Sequence, residues 1–216
     1  MSATPQQRFE TLLGALRDTL QVGEQFTLGY SAEQSQFIRF NHALVRQAGE
    51  VSQASVQLRL MRDGRQAEQQ ITLGDDAVLD RTRLADALSQ LRQTLPLLPV
   101  DPYLRLDDTP WHSHSQQDHP LPELDEVLAL IEREAGDLDL VGIYAAGPIC
   151  RGFANSFGAF GWHQANSFNM DWSLFHSNGQ AVKANYAGQV WHADDFTARL
   201  RQAREQLAFL GRPASR

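Results

Sequence analysis

The sequence predicts an α+β protein, internally duplicated, with two antiparallel sheet units each flanked by helices. Three observations predict it. Helix-period and strand-period stretches follow one another in the same order twice along the chain. An Asx-Gly hairpin signal recurs at the same place in each half, as Asp63-Gly64 and Asn178-Gly179. The 216 residues are 42% hydrophobic, enough to build a core without disulfide or metal staples.

The first half opens with Phe9, Leu12, Leu13, Leu16 and Leu20 at helical spacing, which predicts a helix from about Pro5 to Gln21. Thr4 and Pro5 supply its cap and first turn, and Gly23 ends it. Strands are predicted over Gln25 to Ser31, Gln36 to Asn41 and Val51 to Met61. In the last of these Val56, Leu58 and Leu60 alternate with Gln57 and Arg59, so one face is buried and the other wet. Asp63-Gly64 supplies the positive-φ pair of a tight turn, and Gln66 to Leu73 returns as the partner strand. A helix from about Leu79 to Thr94 closes the unit before Pro96 and Pro99.

The second half repeats the order: helix Leu121 to Ala135, strands Leu138 to Ala145, Ile149 to Asn155 and Trp162 to Phe175, a turn, strand Gln180 to Ala187, and helix Ala193 to Leu210. The correspondence reaches single residues. At a shift of 114, Asn41 falls on Asn155, and Val56, Leu58 and Leu60 fall on Met170, Trp172 and Leu174. One inserted residue then carries Asp63-Gly64 onto Asn178-Gly179 and sets Pro99 opposite Pro213. The division is a first repeat over 1–99, a linker over 100–121 and a second repeat over 122–216. The linker is polar, proline-bearing and long for a loop, and is expected to be exposed. The helices are expected to bury Leu12, Leu16, Leu84, Leu88, Leu91, Leu128, Ile131, Leu200 and Leu207.

No run of eighteen apolar residues occurs, and the first residues lack the basic and apolar stretches of a secretion signal. A single cysteine, Cys150, excludes an internal disulfide and a four-thiolate zinc site. Both point to a cytoplasmic protein without a membrane partner. The net charge is −7, with the acidic excess concentrated between Asp118 and Asp139. Such a surface repels a phosphate backbone, so nucleic acid is not an expected partner.

Four stretches invite a chemical reading. His112, His114 and His119, with Asp118, have spacing that could ligate zinc, against the plainer reading of a solvated loop flanked by Pro110 and Pro120. Gly142 to Gly147 has the first spacing of a phosphate loop but lacks its lysine and its helix, and reads as a strand ending in a glycine turn. Cys150 beside Arg151 could be an activated thiolate, yet no base is placed near it and a packed, inert thiol is the preferred reading. Arg151-Gly-Phe-Ala-Asn-Ser-Phe-Gly158 is the densest unusual stretch. There Arg151, Asn155 and Ser156 could anchor an extended peptide, or Asn155-Ser156 could satisfy a turn with the neighbouring aromatics as core. No HExxH or HExxxH motif occurs, so self-contained zinc hydrolysis has no support.

The stretch just quoted, together with Phe168-Asn-Met-Asp-Trp-Ser-Leu-Phe175, Ala181-Val-Lys-Ala-Asn-Tyr-Ala-Gly188 and Ala203 to Pro213, resembles the TldD/PmbA family, also called modulators of DNA gyrase. The resemblance is strongest from Leu138 onward. It implies a two-part protein of about twice this length, acting as a homodimer or a TldD/TldE-like heterodimer. It further implies zinc peptidase activity on unfolded or extended peptides, with HExxxH and cysteine ligands in a carboxy-terminal half that this sequence does not include. By this resemblance the chain is an amino-terminal, non-catalytic domain with no cofactor of its own, cut from a longer protein, that shapes peptide access and assembly. A metal-free assembly module, TldE-like, is the alternative, and regulation of DNA gyrase a third reading.

Overall fold

The computed structural model describes residues 3–211. In chain order the elements are α1 (Pro5–Thr19), β1 (Gln25–Asn41), β2 (Leu44–Arg62), β3 (Arg65–Leu73) and α2 (Ala77–Thr94), with a 3-10 turn at Leu95–Leu97. Then come β4 (His112–Gln117), α3 (Leu124–Ala135), β5 (Asp139–Asn155), β6 (Phe160–Phe175), β7 (Ala181–Gly188) and α4 (Ala193–Leu210). The class is α+β. The described strands form one antiparallel sheet in the order β3-β2-β1-β5-β6-β4, with β7 also paired to β6. The two sheets expected from the sequence are therefore one, because β1 and β5 pair and neither leaves an open row of amides and carbonyls.

Local chemistry sets α1. Thr4 Oγ1 accepts the Gln7 amide at 3.2 Å, the Gln7 side chain accepts the Thr4 amide at 2.9 Å, and Pro5 occupies the first turn. Helix α2 starts at Asp76, whose carboxylate accepts the amides of Val78 and Leu79.

The strands are longer than the sequence suggests. β1 runs unbroken through Ala32-Glu33-Gln34-Ser35, and β5 through Ala146-Gly147-Pro148, segments with no apolar alternation. Backbone approach holds them: a Cβ on Gly147 would lie 2.1 Å from the Gln34 carbonyl oxygen, so only glycine fits there. β1 and β2 are joined at His42 and Ala43, with φ of 51° and 56°. That is two-residue hairpin geometry on residues that do not announce it. The linker also holds a strand, β4, where a loop was expected. It pairs with β6, and Phe160 N–H donates to the Trp111 carbonyl at 2.8 Å.

The two Asx-Gly turns are in place, with Asp63 and Gly64 at φ 52° and 70° and Gly179 at 83°. Their hairpins share one register. Val56↔Ile71, Leu58↔Gln69 and Leu60↔Ala67 in β2–β3 correspond, strand by strand, to Met170↔Tyr186, Trp172↔Ala184 and Leu174↔Val182 in β6–β7.

The chain divides into two compact units. One comprises the chain up to Glu33 with Ser52–Gln116 and Ile149–Gln164. The other comprises Gln34–Val51, Gln117–Pro148 and the chain from Ala165 on. This division by contact differs from the division by sequence order, since each unit takes in one end of β1, β2, β5 and β6. The first unit buries Phe9, Leu12 and Leu16 of α1 and Leu84, Leu88 and Leu91 of α2 against Phe26, Leu28, Val56, Leu58 and Trp162 of the sheet. The second buries Val127, Leu130 and Ile131 of α3 and Phe196 and Leu200 of α4 against Tyr144, Phe168, Met170 and Trp172. Leu128 and Leu207, expected in the core, are only partly buried, because Val127, Leu130 and Ala203 hold the inward stripe. Each fully buried side chain of this size contributes about 1.5–3 kcal/mol. Pro213, the expected counterpart of Pro99, lies outside the described residues.

Candidate functional site

On the last stretch of β5 the side chains alternate. Cys150, Gly152 and Ala154 are buried in the first unit, while Arg151 and Phe153 point to the opposite, open face. Gly152 lets the sheet touch α1, since a Cβ there would meet the Phe9 ring at 2.9 Å and Tyr30 Cβ at 3.1 Å. Phe9, Tyr30, Phe160 and Trp162 pack around this contact.

Beyond β5 the chain turns on Asn155. Its Oδ1 accepts the amides of Phe157 and Ala159, both at 2.9 Å, and its side chain is nearly sealed. This is an Asx turn with two bonds. Ser156 Oγ accepts the Phe26 amide at 3.1 Å, and the Ser156 amide donates to the Phe26 carbonyl at 3.2 Å, tying the turn to the start of β1. Arg151 donates to the Cys150 carbonyl at 2.9 Å and to that of Ala32 at 3.5 Å. The three candidate peptide contacts thus lie on one stretch of chain but do not converge on one cavity.

A groove of about 530 Å³ does lie on the open face of the first unit. Its floor is Thr27 and Gly29 of β1. One wall is aromatic, made by Trp111, Phe153 and Phe157; the other is polar, made by Gln57, Arg59, Glu68 and Arg105. Trp111 and Phe153 stack with ring centroids 5.9 Å apart and planes within 6°, yet remain 41% and 37% exposed. Trp111 is seated on a bare backbone: a Cβ on Gly161 would lie 2.9 Å from its ring. Arg59 pairs with Glu68 at 3.0 Å, and Arg105 donates to the carbonyls of Leu104 and Pro102. The amide and hydroxyl of Thr109 hold the Asp107 carboxyl below the usual range. Of the sequence candidates only Asn155 lines this groove, with Nδ2 3.5 Å from the Asp107 carbonyl. The lining offers flat apolar faces and hydrogen-bonding groups, among them the Thr27 hydroxyl and the Glu68 and Asp107 carboxylates.

The histidines have separate neighbours. The His112 ring stacks on Phe160 at 5.2 Å, His114 Nε2 is 3.1 Å from Gln6 Oε1, and the His119 carbonyl accepts from Asn166. Among the described residues no three His, Cys, Asp or Glu side chains are grouped as a metal site needs. Cys150 is buried, with Sγ 3.7 Å from Gln164 Oε1. Gly142 to Gly147 lies wholly within β5 and forms no loop. None of the described helices is long and apolar enough to cross a membrane.

No family model matches the sequence, and no curated protein does. Solved structures match in three dimensions. TldE from Thermococcus kodakarensis superposes with a TM-score of 0.62 at 13% identity, over 90% of this chain and 47% of that one. A candidate modulator of DNA gyrase from Bacteroides thetaiotaomicron gives 0.58 at 15% identity, over 93% and 48%. Another from Thermotoga maritima gives 0.54 at 9%, over 93% and 47%. This is the fold of TldE and the gyrase-modulator proteins. The chain spans about half the length of each.

Within this TldE fold, the residues missed by sequence reasoning are those of the groove. Phe153 carried a readable signal, an aromatic at an outward position of a strand whose neighbours point inward. Trp111, Arg59 and Arg105 carried none, because they come from three separate segments that only the folded sheet brings together.

Proposed function

We propose that this chain is the amino-terminal, non-catalytic half of a TldD/PmbA-type protein, shaping the access of extended peptides and contributing to subunit assembly in the cytoplasm. The observation that carries this is coverage: at least 90% of the chain superposes on about half of each solved neighbour, so the fold accounts for nearly all of this chain and leaves a second half in those proteins. The zinc that the family resemblance implies is proposed to lie in that second half. The role proposed for the side chains here is contact.

Two features support peptide contact. β4 closes one end of the strand order with a short, polar, exposed strand, a template for strand addition. The Trp111–Phe153 wall offers apolar side chains a stacking face beside hydrogen-bonding partners. The assembled protein is proposed to be a homodimer or a TldD/TldE-like heterodimer. Assembly without peptide contact is the competing role. Gyrase regulation, named for two of the neighbours, would have to act through protein contact, since a net charge of −7 opposes approach to DNA.

A titration with a labelled, unstructured peptide rich in aromatic residues separates these. Saturable binding, weakened about tenfold by Phe153→Ala or Trp111→Ala, supports peptide contact. Binding of a partner subunit with no affinity for peptide assigns the chain to assembly alone.

A further inference from the structure

A second pocket, of about 400 Å³, sits at the β2–β3 turn and is built around arginine. Arg62 and Arg65 stand directly opposite one another in the hairpin register, and like charges so placed repel. In a chain with a net charge of −7, a third arginine, Arg92 of α2, lines the same pocket. Arg92 is committed. Its Nε and Nη2 each hold a Glu24 carboxylate oxygen at 2.8 Å, and the Gln21 amide donates to the same carboxylate. That hydrogen bonding keeps the Glu24 carboxyl below its usual range although its side chain is 1% exposed. The base of the pocket is thus a closed, neutral pair.

The other two guanidiniums are less committed. Arg65 places Nε on the Leu98 carbonyl at 2.8 Å, and Arg62 Nε lies 3.5 Å from Asp63, whose carboxylate is 78% exposed. Among the described residues no hydrogen bond engages the Nη donors of either, and a carboxylate between them would turn the repulsion into two charge-assisted bonds. Three exposed apolar side chains lie near it in the chain or through the Gly64 turn. Val22, Leu97 and Tyr103 are 96%, 84% and 86% exposed, on segments that adjoin the pocket. Tyr103 is held there through Asp101, which bonds the Tyr103 amide, the Gln66 side chain and the Gly64 carbonyl. A free anion has no use for such a rim, whereas a protein segment would cover it.

We infer that this pocket docks a partner polypeptide through an acidic, aliphatic segment, with a carboxylate bridging Arg62 and Arg65 and flanking aliphatic side chains covering Val22, Leu97 and Tyr103. The inference is independent of the peptide groove and of the proposed family role. Its test is fluorescence anisotropy of a labelled peptide of alternating leucine and glutamate, titrated with the full chain. Saturable binding is expected, weakening with added salt. Arg62→Gln or Arg65→Gln should weaken it about tenfold, and Leu97→Ser, on an exposed side chain that the fold does not need, about threefold. A leucine-glutamine peptide should not bind. Equal binding of that control, or no binding of the acidic peptide, overturns the inference. So does full competition by inorganic phosphate with no effect of Leu97→Ser, the signature of a bare anion site. Thermal melting guards against a purely structural role: Arg62→Gln should raise the midpoint by relieving repulsion, and a lowered midpoint with unchanged peptide binding counts against docking. Should both arginine variants unfold, Leu97→Ser decides.

Discussion

Asn155 spends its side-chain oxygen on two backbone amides of the β5–β6 turn, inside a nearly closed environment. Removing that acceptor strands buried donors, so Asn155→Ala is expected to cost about 2 kcal/mol in urea unfolding, while Asn155→Asp, which keeps an acceptor, retains most of the stability. Peptide affinity lost in the alanine variant alone would therefore report the turn and not a direct contact. Tyr144 behaves oppositely. It is fully buried, its hydroxyl has no hydrogen-bond partner among the described residues, and burial pushes its pKa from 10.0 up to about 12. The fold favours the neutral phenol. The resulting stability is complete below the unfolded value and is lost as pH rises from about 10 through about 12. Tyr144→Phe should flatten this alkaline decline and leave stability near neutral pH unchanged or higher by up to about 1 kcal/mol. A decline as steep as that of the parent chain would contradict the assignment.

Among the elements, the hairpins and helices were the legible part. Asp63-Gly64 and Asn178-Gly179 turn where their chemistry demands, and α4 spans the residues its apolar spacing indicates. The long strands were not legible, because Glu33 to Ser35 and Ala146 to Pro148 have no alternation, and it is their neighbours' amides and carbonyls that keep them extended. Gly152 shows how one strand position sets the helix packing. A methyl group there would press on a Phe9 ring that is fully buried and cannot retreat. Gly152→Ala should cost about 1–3 kcal/mol by denaturant titration, and a neutral result would mean that α1 can lift from the sheet.

At the scale of the whole molecule, the first core needs the second half of the sequence. Phe9 and Tyr30 pack on Trp162, and Cys150 and Ala154 complete the same cluster. A fragment of residues 1–99 lacks all three and is expected to show helical circular dichroism without a cooperative urea transition, whereas the full chain unfolds sharply. A sharp transition in the fragment would show that the first repeat closes its own core. The β2–β3 and β6–β7 hairpins share one register, as a duplication would require, while the compact units cut across the repeats drawn in sequence order.

The residues by themselves determined the α+β class, the helices, the two Asx-Gly hairpins and their common register, because periodicity and turn chemistry act over a few neighbours. They also exposed Asn155 and Ser156 as a turn candidate. Only the tertiary structure decided that β1 and β5 join the strands into one sheet, that Trp111 meets Phe153, and that Arg62 and Arg65 share a pocket with Arg92. Those contacts link positions far apart in the chain. No short-range pattern carries them, since any strand edge can accept another and the choice is settled by which pairing buries both cores at once.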